Sequence, residues 1–332
     1  MTVDEAVEAY LDIIEQSRSQ NTARTYRNAL NCFRTSLERQ SVDPDKVNIS
    51  TLSMDVVKWF TRDLKQVSPA TESLYLTALL SFMKYLIGEE LIQLNLQKIR
   101  NTIQQRARRP GKSLPQVRQN EVDVIIKYAI NIAYDSRNVS GEDLPGYLRN
   151  LRDSAFLLVL ADTGLRVHEA CKLIRGDIDW NEGKALLTGK GNKSAIVRFS
   201  SRSLSALRKY LHARSALDGS SGRPLTALPL FARHDRGAGK KIKPITTTTG
   251  RNIVAQRVQE ALGEEELGKI TPHTFRHYFV TTVMLSSGGN LKLAQKLARH
   301  ENIAVTQRYA HLTDEELDRG YWEIFEKSGR EE

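Results

Sequence analysis

The chain has 332 residues, 40% of them apolar and 27% charged, which is enough for two packed domains with separate cores and excludes wholesale disorder. No apolar run is long enough to span a bilayer, and the acidic, amphipathic start MTVDEAVEAY does not read as a secretory signal. The expectation is a cytoplasmic protein with no membrane partner. The formal charge of +10 points instead to a polyanion.

In chain order, the apolar spacing predicts a helix over 3–15 (Val3, Ala6, Val7, Tyr10, Leu11, Ile14) and a second over 22–37 (Tyr26, Leu30, Phe33, Leu37). A third covers 54–64. A fourth covers 69–86, with Ser68 as N-cap and Pro69 in the first turn. A short helix over 91–100 completes a helical first domain, residues 1–103. The segment QQRARRPGKSLPQ, 104–116, is basic, carries Pro110, Gly111 and Pro115, and reads as an extended linker. A larger, mainly helical second domain fills 117–332. Helices are expected over 121–134, 148–163, 203–217, 249–262, 273–287, 291–297 and 305–309. Two short strands, 184–188 and 195–199, flank the turn Gly189-Lys190-Gly191-Asn192. The Gly- and Pro-rich stretch 217–248 carries no readable pattern. The box Thr-Asp-Glu-Glu at Thr313 opens a last amphipathic helix, 314–327.

Positive charge is segregated along this frame. Residues between Glu90 and Glu121 include no acid but hold Lys98, Arg100, Arg106, Arg108, Arg109, Lys112 and Arg118, and 184–214 is also acid-free. Segregation of this kind builds a phosphate-facing surface, which makes a nucleic acid a natural partner. Cys32 and Cys171 stand far apart in apolar contexts and read as structural thiols of a reducing compartment.

Chemistry-bearing residues gather in the second domain. Asp162-Thr163-Gly164-Leu165-Arg166 places an arginine just past a glycine break, at the start of a new helix, which suits a phosphate. Lys190 stands in the GKGNK turn, followed by Lys193. His273-Thr274-Phe275-Arg276 puts a histidine and an arginine on one helical face. LARHENIAVTQRYAH then carries His300 and, nine residues on, Tyr309. Singly these are weak signals: a surface pair, a generic hairpin, a packing tyrosine.

As an ordered set they resemble the tyrosine recombinase (integrase) family that includes the Xer, Cre and phage integrases, with its sequence Arg, Lys, His-x-x-Arg, His, Tyr. The resemblance covers the whole second domain, and the first matches the family's helical core-binding domain in length and character. It implies a mainly α fold with a small β-sheet: a SAM-like helical N-terminal domain and a C-terminal tyrosine-recombinase catalytic domain. It implies DNA strand cleavage through a 3′-phosphotyrosine on Tyr309 and passage through a Holliday junction. Arg166 and Arg276 would neutralise the non-bridging oxygens, Lys190 would protonate the leaving 5′-oxygen, His273 would assist Tyr309, and His300 would bond a phosphate oxygen. Glu169 would brace Arg166 or the His273 region, or stand as a charge on the helix surface. No cofactor is implied, because the phosphotyrosine conserves the bond energy, and no metal, because the arginines repel a cation beside His273 and His300. His168, His277 and His311 read as structural.

DNA contacts are expected from Arg24, Thr25 and Arg27 on the second helix, from Arg106, Arg108, Arg109 and Lys112 along the linker, and from Lys193. The resemblance further implies a clamp of two domains round DNA and a homo-tetramer on DNA in which the 314–327 helix docks into a neighbour. It implies nucleoid association, and with no further module ahead of the first bundle, a simple Xer- or Cre-like organisation. A type IB topoisomerase shares the chemistry without the exchange helix. A silent DNA-binding regulator would not need the complete set of six residues.

Overall fold

A computed structural model describes residues 1–108, 118–135, 144–188, 194–235, 237 and 241–309. The chain divides into two compact units, Met1–Lys112 and Ser113–Glu332.

The first unit packs five helices, α1 (Val3–Ser17), α2 (Gln20–Glu38), α3 (Asp55–Asp63), α4 (Pro69–Gly88) and α5 (Leu96–Arg106). Four of the five start where the N-cap side chain satisfies an orphan N–H, α3 with its Met54 cap being the exception. Thr2 and Glu5 form a reciprocal capping box on α1, Ser68 accepts from Thr71 N at 3.2 Å on α4, and Asn95 accepts from Lys98 N at 3.0 Å on α5. The apolar stripes meet round Leu11, Phe33, Phe60 and Phe82, all fully buried, with Phe33 and Phe60 edge to face at 5.6 Å. The Asn95 cap moves α5 later than its apolar spacing suggests, so 104–106 are helix rather than linker.

That last turn is pinned by Glu72, whose side chain is fully buried. It accepts from Lys65 Nζ at 2.8 Å and from Arg108 N at 2.9 Å, and Arg108 Nε closes the pair at 2.5 Å. Burial alone would raise the Glu72 pKa, but these bonds outweigh it and hold the carboxyl below its ordinary range.

In the second unit α7 (Leu144–Thr163) is the central element, because Ala155 to Ala161 is apolar all round and buried on every side. Round it stand α6 (Gln119–Asp135), α9 (Ser201–Ala213), α11 (Thr247–Leu262) and α12 (Pro272–Ser286). Shorter helices are α8 (Val167–Lys172), α10 (Ser215–Gly219), α13 (Leu291–Ala298) and α14 (Ile303–Gln307). Strands β1 (Ile178–Asp179), β2 (Lys184–Thr188) and β3 (Ser194–Arg198) form an antiparallel sheet in the order β1-β2-β3. The pairing Ala185↔Val197 puts those two side chains inward and leaves Leu186 and Ile196 outside.

The unread stretch 217–248 is held by side chains from elsewhere. Arg214, fully buried, donates to Pro229 O at 2.9 Å, to Leu230 O at 3.2 Å and to Asp218 Oδ1 at 2.8 Å. The Tyr210 hydroxyl accepts from Ala232 N at 3.1 Å and pairs with His234 Nε2 at 2.7 Å. These bonds lay Leu228, Leu230 and Phe231 into the core.

Gly164 turns the chain between α7 and α8. Its φ is +59°, and a Cβ built there would lie 2.9 Å from Cγ of the Phe279 ring. Gly164→Ala is therefore expected to cost about 2–4 kcal/mol, combining left-handed backbone strain with overpacking. Calorimetric melting checks this, and an unchanged transition would contradict it.

Candidate active site

Gly164 lets the chain leave α7 and enter α8 with Arg166 as the capping residue, in extended backbone (φ −69°, ψ 146°). Glu169, three residues on, folds back: its Oε2 accepts from Arg166 N at 2.8 Å and its Oε1 from Arg166 Nη1 at 3.0 Å. The Arg166 side chain stays 45% exposed. Burial pushes Glu169 up, but the Arg166 and Arg299 bonds outweigh this and keep it ionised.

Pro272 starts α12, and its first turn carries His273 and Arg276. Arg276 is 3% exposed; Nη1 donates to Gly164 O at 2.5 Å and Nη2 donates to Ala298 O. This guanidinium staples the α7–α8 corner to the end of α13. Burial, and then the nearby Arg166 and Arg299, depress its pKa to about 10, still far above neutrality. Arg166, His273 and Arg276 line one groove of about 460 Å³, together with Arg251 and Asn252 of α11. His300 follows Arg299, which ends α13 in the left-handed region, and its Nδ1 pairs with Thr306 Oγ1 at 2.9 Å.

Tyr309 is 2% exposed and packs among Val280, Met284, Ala294 and Ala298. Its hydroxyl is hydrogen-bonded to Nδ1 of His277. Burial pushes the phenol up to about 12, against the opposing pull of Arg308 and Arg276. The phenol is therefore the donor at neutral pH, and Nδ1 of a neutral His277 the acceptor. The His277 ring stands edge-on to His273 at 4.4 Å.

Of the expected catalytic residues, Arg166, His273, Arg276, His300 and Tyr309 with Glu169 are thus drawn to one region. Lys190 lies outside the described residues, as do Lys193, Arg109, Lys112, His311 and the 314–327 helix. In the first unit Arg24 and Arg106 are exposed. Thr25 Oγ1 donates to Asn21 O, Arg27 is paired with Glu15 at 2.6 Å and Glu8 at 3.3 Å, and Arg108 is spent on Glu72.

His277, read from sequence as structural, is the group that holds the tyrosine. The signal was present: His273 and His277 are four residues apart and share a helical face. Arg299 had no such signal.

Burial and neighbouring cations depress His277 and His300 to about 4. In the unfolded chain both would titrate near ~6.5, so unfolding takes up protons between those two values. Stability from these two groups is full above pH ~6.5 and falls as pH drops toward 4. Melting at pH 5 is expected below melting at pH 7, and His277→Gln should flatten the slope. Equal melting temperatures at both pH values would refute this.

Comparison with known proteins shows the family. The phage integrase family model matches residues 142–316, and the model for the phage integrase N-terminal SAM-like domain matches residues 7–90. The chain belongs to the phage integrase family. As a member it is a tyrosine recombinase, a DNA-cleaving and -rejoining enzyme. Similar integrase-family proteins include tyrosine recombinase XerC of Herpetosiphon aurantiacus, 30% identical over 310 residues, covering 92% of this chain and 89% of that one. Tyrosine recombinase XerC of Thermodesulfovibrio yellowstonii is 29% identical over 317 residues, covering 95% and 92%. In fold, this integrase is similar to XerH site-specific recombinase bound to palindromic difH substrate in a post-cleavage complex, with a TM-score of 0.64, 18% identity, and 96% and 94% of the two chains covered. The mainly helical architecture with a small sheet, a SAM-like first domain and a recombinase catalytic domain is thereby established. Among the described residues no helix is long and apolar enough to cross a membrane.

Proposed function

We propose that this integrase-family protein is a site-specific recombinase that cuts and rejoins duplex DNA through a 3′-phosphotyrosine on Tyr309. The observation that carries this reading is the convergence of Arg166, His273 and Arg276 on one groove, with Tyr309 one imidazole behind it. Two guanidiniums at a phosphate supply fixed donors for the charge that grows on the non-bridging oxygens. The exposed Arg166 meets the phosphate first, and the buried Arg276 acts from a rigid base.

The phenolate of Tyr309 attacks phosphorus, the 5′-oxygen leaves, and Lys190 returns a proton to it. His300, neutral at pH 7, donates to a phosphate oxygen, and His273 assists in taking the phenol proton. Because the new phosphotyrosine ester keeps the energy of the broken one, religation needs no ATP. Glu169 holds Arg166 in its extended corner.

In the described arrangement Tyr309 is capped by His277 and buried, so attack requires it to leave this pocket. We take the functional unit to be four protomers on two DNA sites, exchanging strands in pairs through a Holliday junction, with the 314–327 helix donated to a neighbour. The first domain, put at 1–103 from the sequence, is taken to extend through α5 to 106, and a basic connection along the DNA backbone that includes Arg109 and Lys112 joins it to 117–332. Arg24, Thr25, Arg106 and Lys193 would add phosphate contacts. Such a protein would work on the nucleoid. The post-cleavage difH complex of XerH is in keeping with this substrate class.

The test uses a pool of duplexes with randomised centres, each nicked once so that a cut strand diffuses away and traps the intermediate. Denaturing gels are expected to show a protein–DNA adduct, with DNA attached at Tyr309 by peptide mapping. Adduct on a different residue, or none from a pool that the protein binds, would overturn the reading.

A further inference from the structure

Arg299 is costly where it stands. It is a non-glycine residue at φ 56°, ψ 44°, its side chain is 10% exposed, and its Nη1 is buried with no hydrogen-bond partner among the described residues. It also crowds two other guanidiniums, those of Arg166 and Arg276. What it obtains in return is narrow. Its Nη2 donates to Glu169 Oε2 at 3.1 Å and to Gly164 O at 3.4 Å. Both acceptors already serve the other two arginines: Gly164 O takes Arg276 Nη1, and Glu169 takes Arg166.

Counting acceptor sites on Glu169 shows what this arrangement does. A carboxylate has two lone-pair positions on each oxygen and readily accepts an arginine as a two-pronged fork. Here Oε2 is filled by Arg166 N at 2.8 Å and by Arg299 Nη2 at 3.1 Å. Only Oε1 is left for the Arg166 side chain, which makes a single bond there at 3.0 Å. The fork stays open, and Arg166 lines the groove.

We propose that Arg299 is a positioning residue that occupies Glu169 and so keeps Arg166 from being locked into a bidentate ion pair, leaving it free for the scissile phosphate. This rests on the recombinase reading above. Without Arg299, Oε2 regains a site, Arg166 closes onto Glu169, and the phosphate must compete with a carboxylate already in place.

The test is single-turnover adduct formation on a nicked duplex recovered from the randomised pool with the wild-type protein. Arg299→Gly removes the guanidinium and suits a left-handed backbone, so melting should be unchanged or raised. Adduct formation should slow on the order of 100-fold, as for other losses of alignment at a reacting centre. Adding Glu169→Gln to that variant should restore most of the rate, because an amide still accepts from Arg166 N but cannot form the charged fork. Arg299→Lys, which can still pair with Glu169, should retain most activity. Wild-type adduct with Arg299→Gly equally fast would sink the inference alone. So would a slow Arg299→Gly that Glu169→Gln fails to rescue, with or without lowered melting, since that would make Arg299 a plain structural brace. Absence of adduct from the wild type would instead sink the recombinase reading.

Discussion

Tyr309→Phe is expected to abolish covalent attachment to nicked DNA while leaving the fold and DNA binding intact. The hydroxyl is the only atom the change removes, and its partner in the described structure is Nδ1 of His277. Losing that bond costs roughly 1 kcal/mol, because the ring keeps its place among Val280, Met284, Ala294 and Ala298. In the proposed chemistry activity has no comparable reserve, since the ester forms on this hydroxyl. The measurement is the denaturing-gel adduct beside a gel-shift and a melting curve. Residual adduct above a few per cent of wild type would require another nucleophile, and a collapsed melting curve would mean that Tyr309 is chiefly a core residue.

The second large effect is at Arg276, where structure and chemistry share one side chain. Arg276→Ala strips the donors from two carbonyls, Gly164 O and Ala298 O, at a position only 3% exposed. Ala298 O loses its side-chain donor and Gly164 O keeps only the 3.4 Å bond from Arg299 Nη2, a loss of about 1–4 kcal/mol, so the catalytic unit should melt below wild type. Arg276→Lys separates the contributions. A lysine keeps the charge and can reach one carbonyl, but it cannot bond both carbonyls and a phosphate as a planar fork can. It should therefore recover most of the stability and still form adduct on the order of 100 to 1,000 times more slowly. Lysine cleaving at near wild-type rate would show that charge alone suffices and that the fork geometry is irrelevant.

The helical frame was legible because it is written locally. Apolar stripes at helical spacing set the faces, and Thr2, Ser68 and Pro69 punctuate the starts. The candidate site was legible because its chemistry needs rare residue types in a fixed order. Four features were not. The end of α5 and the stretch 217–248 depend on partners far along the chain, Glu72 with Arg108 in one case and Arg214 with Pro229 and Leu230 in the other. His277 was visible as a face-sharing neighbour of His273 but gave no hint of which tyrosine it would meet. Arg299 was invisible, because nothing in LARH reveals a left-handed residue whose side chain turns back to Glu169. Local rules predict elements; bonds between distant elements decide what a given side chain is for.

The buried phenol has a consequence for the safety of the genome. At pH 7 a group with a pKa of about 12 is ionised in only about one molecule in 100,000. An enzyme that carries its own DNA-cutting reagent meets phosphodiesters at every non-target position it slides across. With Tyr309 neutral, enclosed and hydrogen-bonded to His277, each of those encounters pays the full penalty of extraction and deprotonation before a strand can break. On the proposed chemistry, only a complex held long enough to open the pocket would convert contact into a cut. The selectivity of such an enzyme would then lie as much in the waiting time that storage of its nucleophile enforces as in the bases it reads.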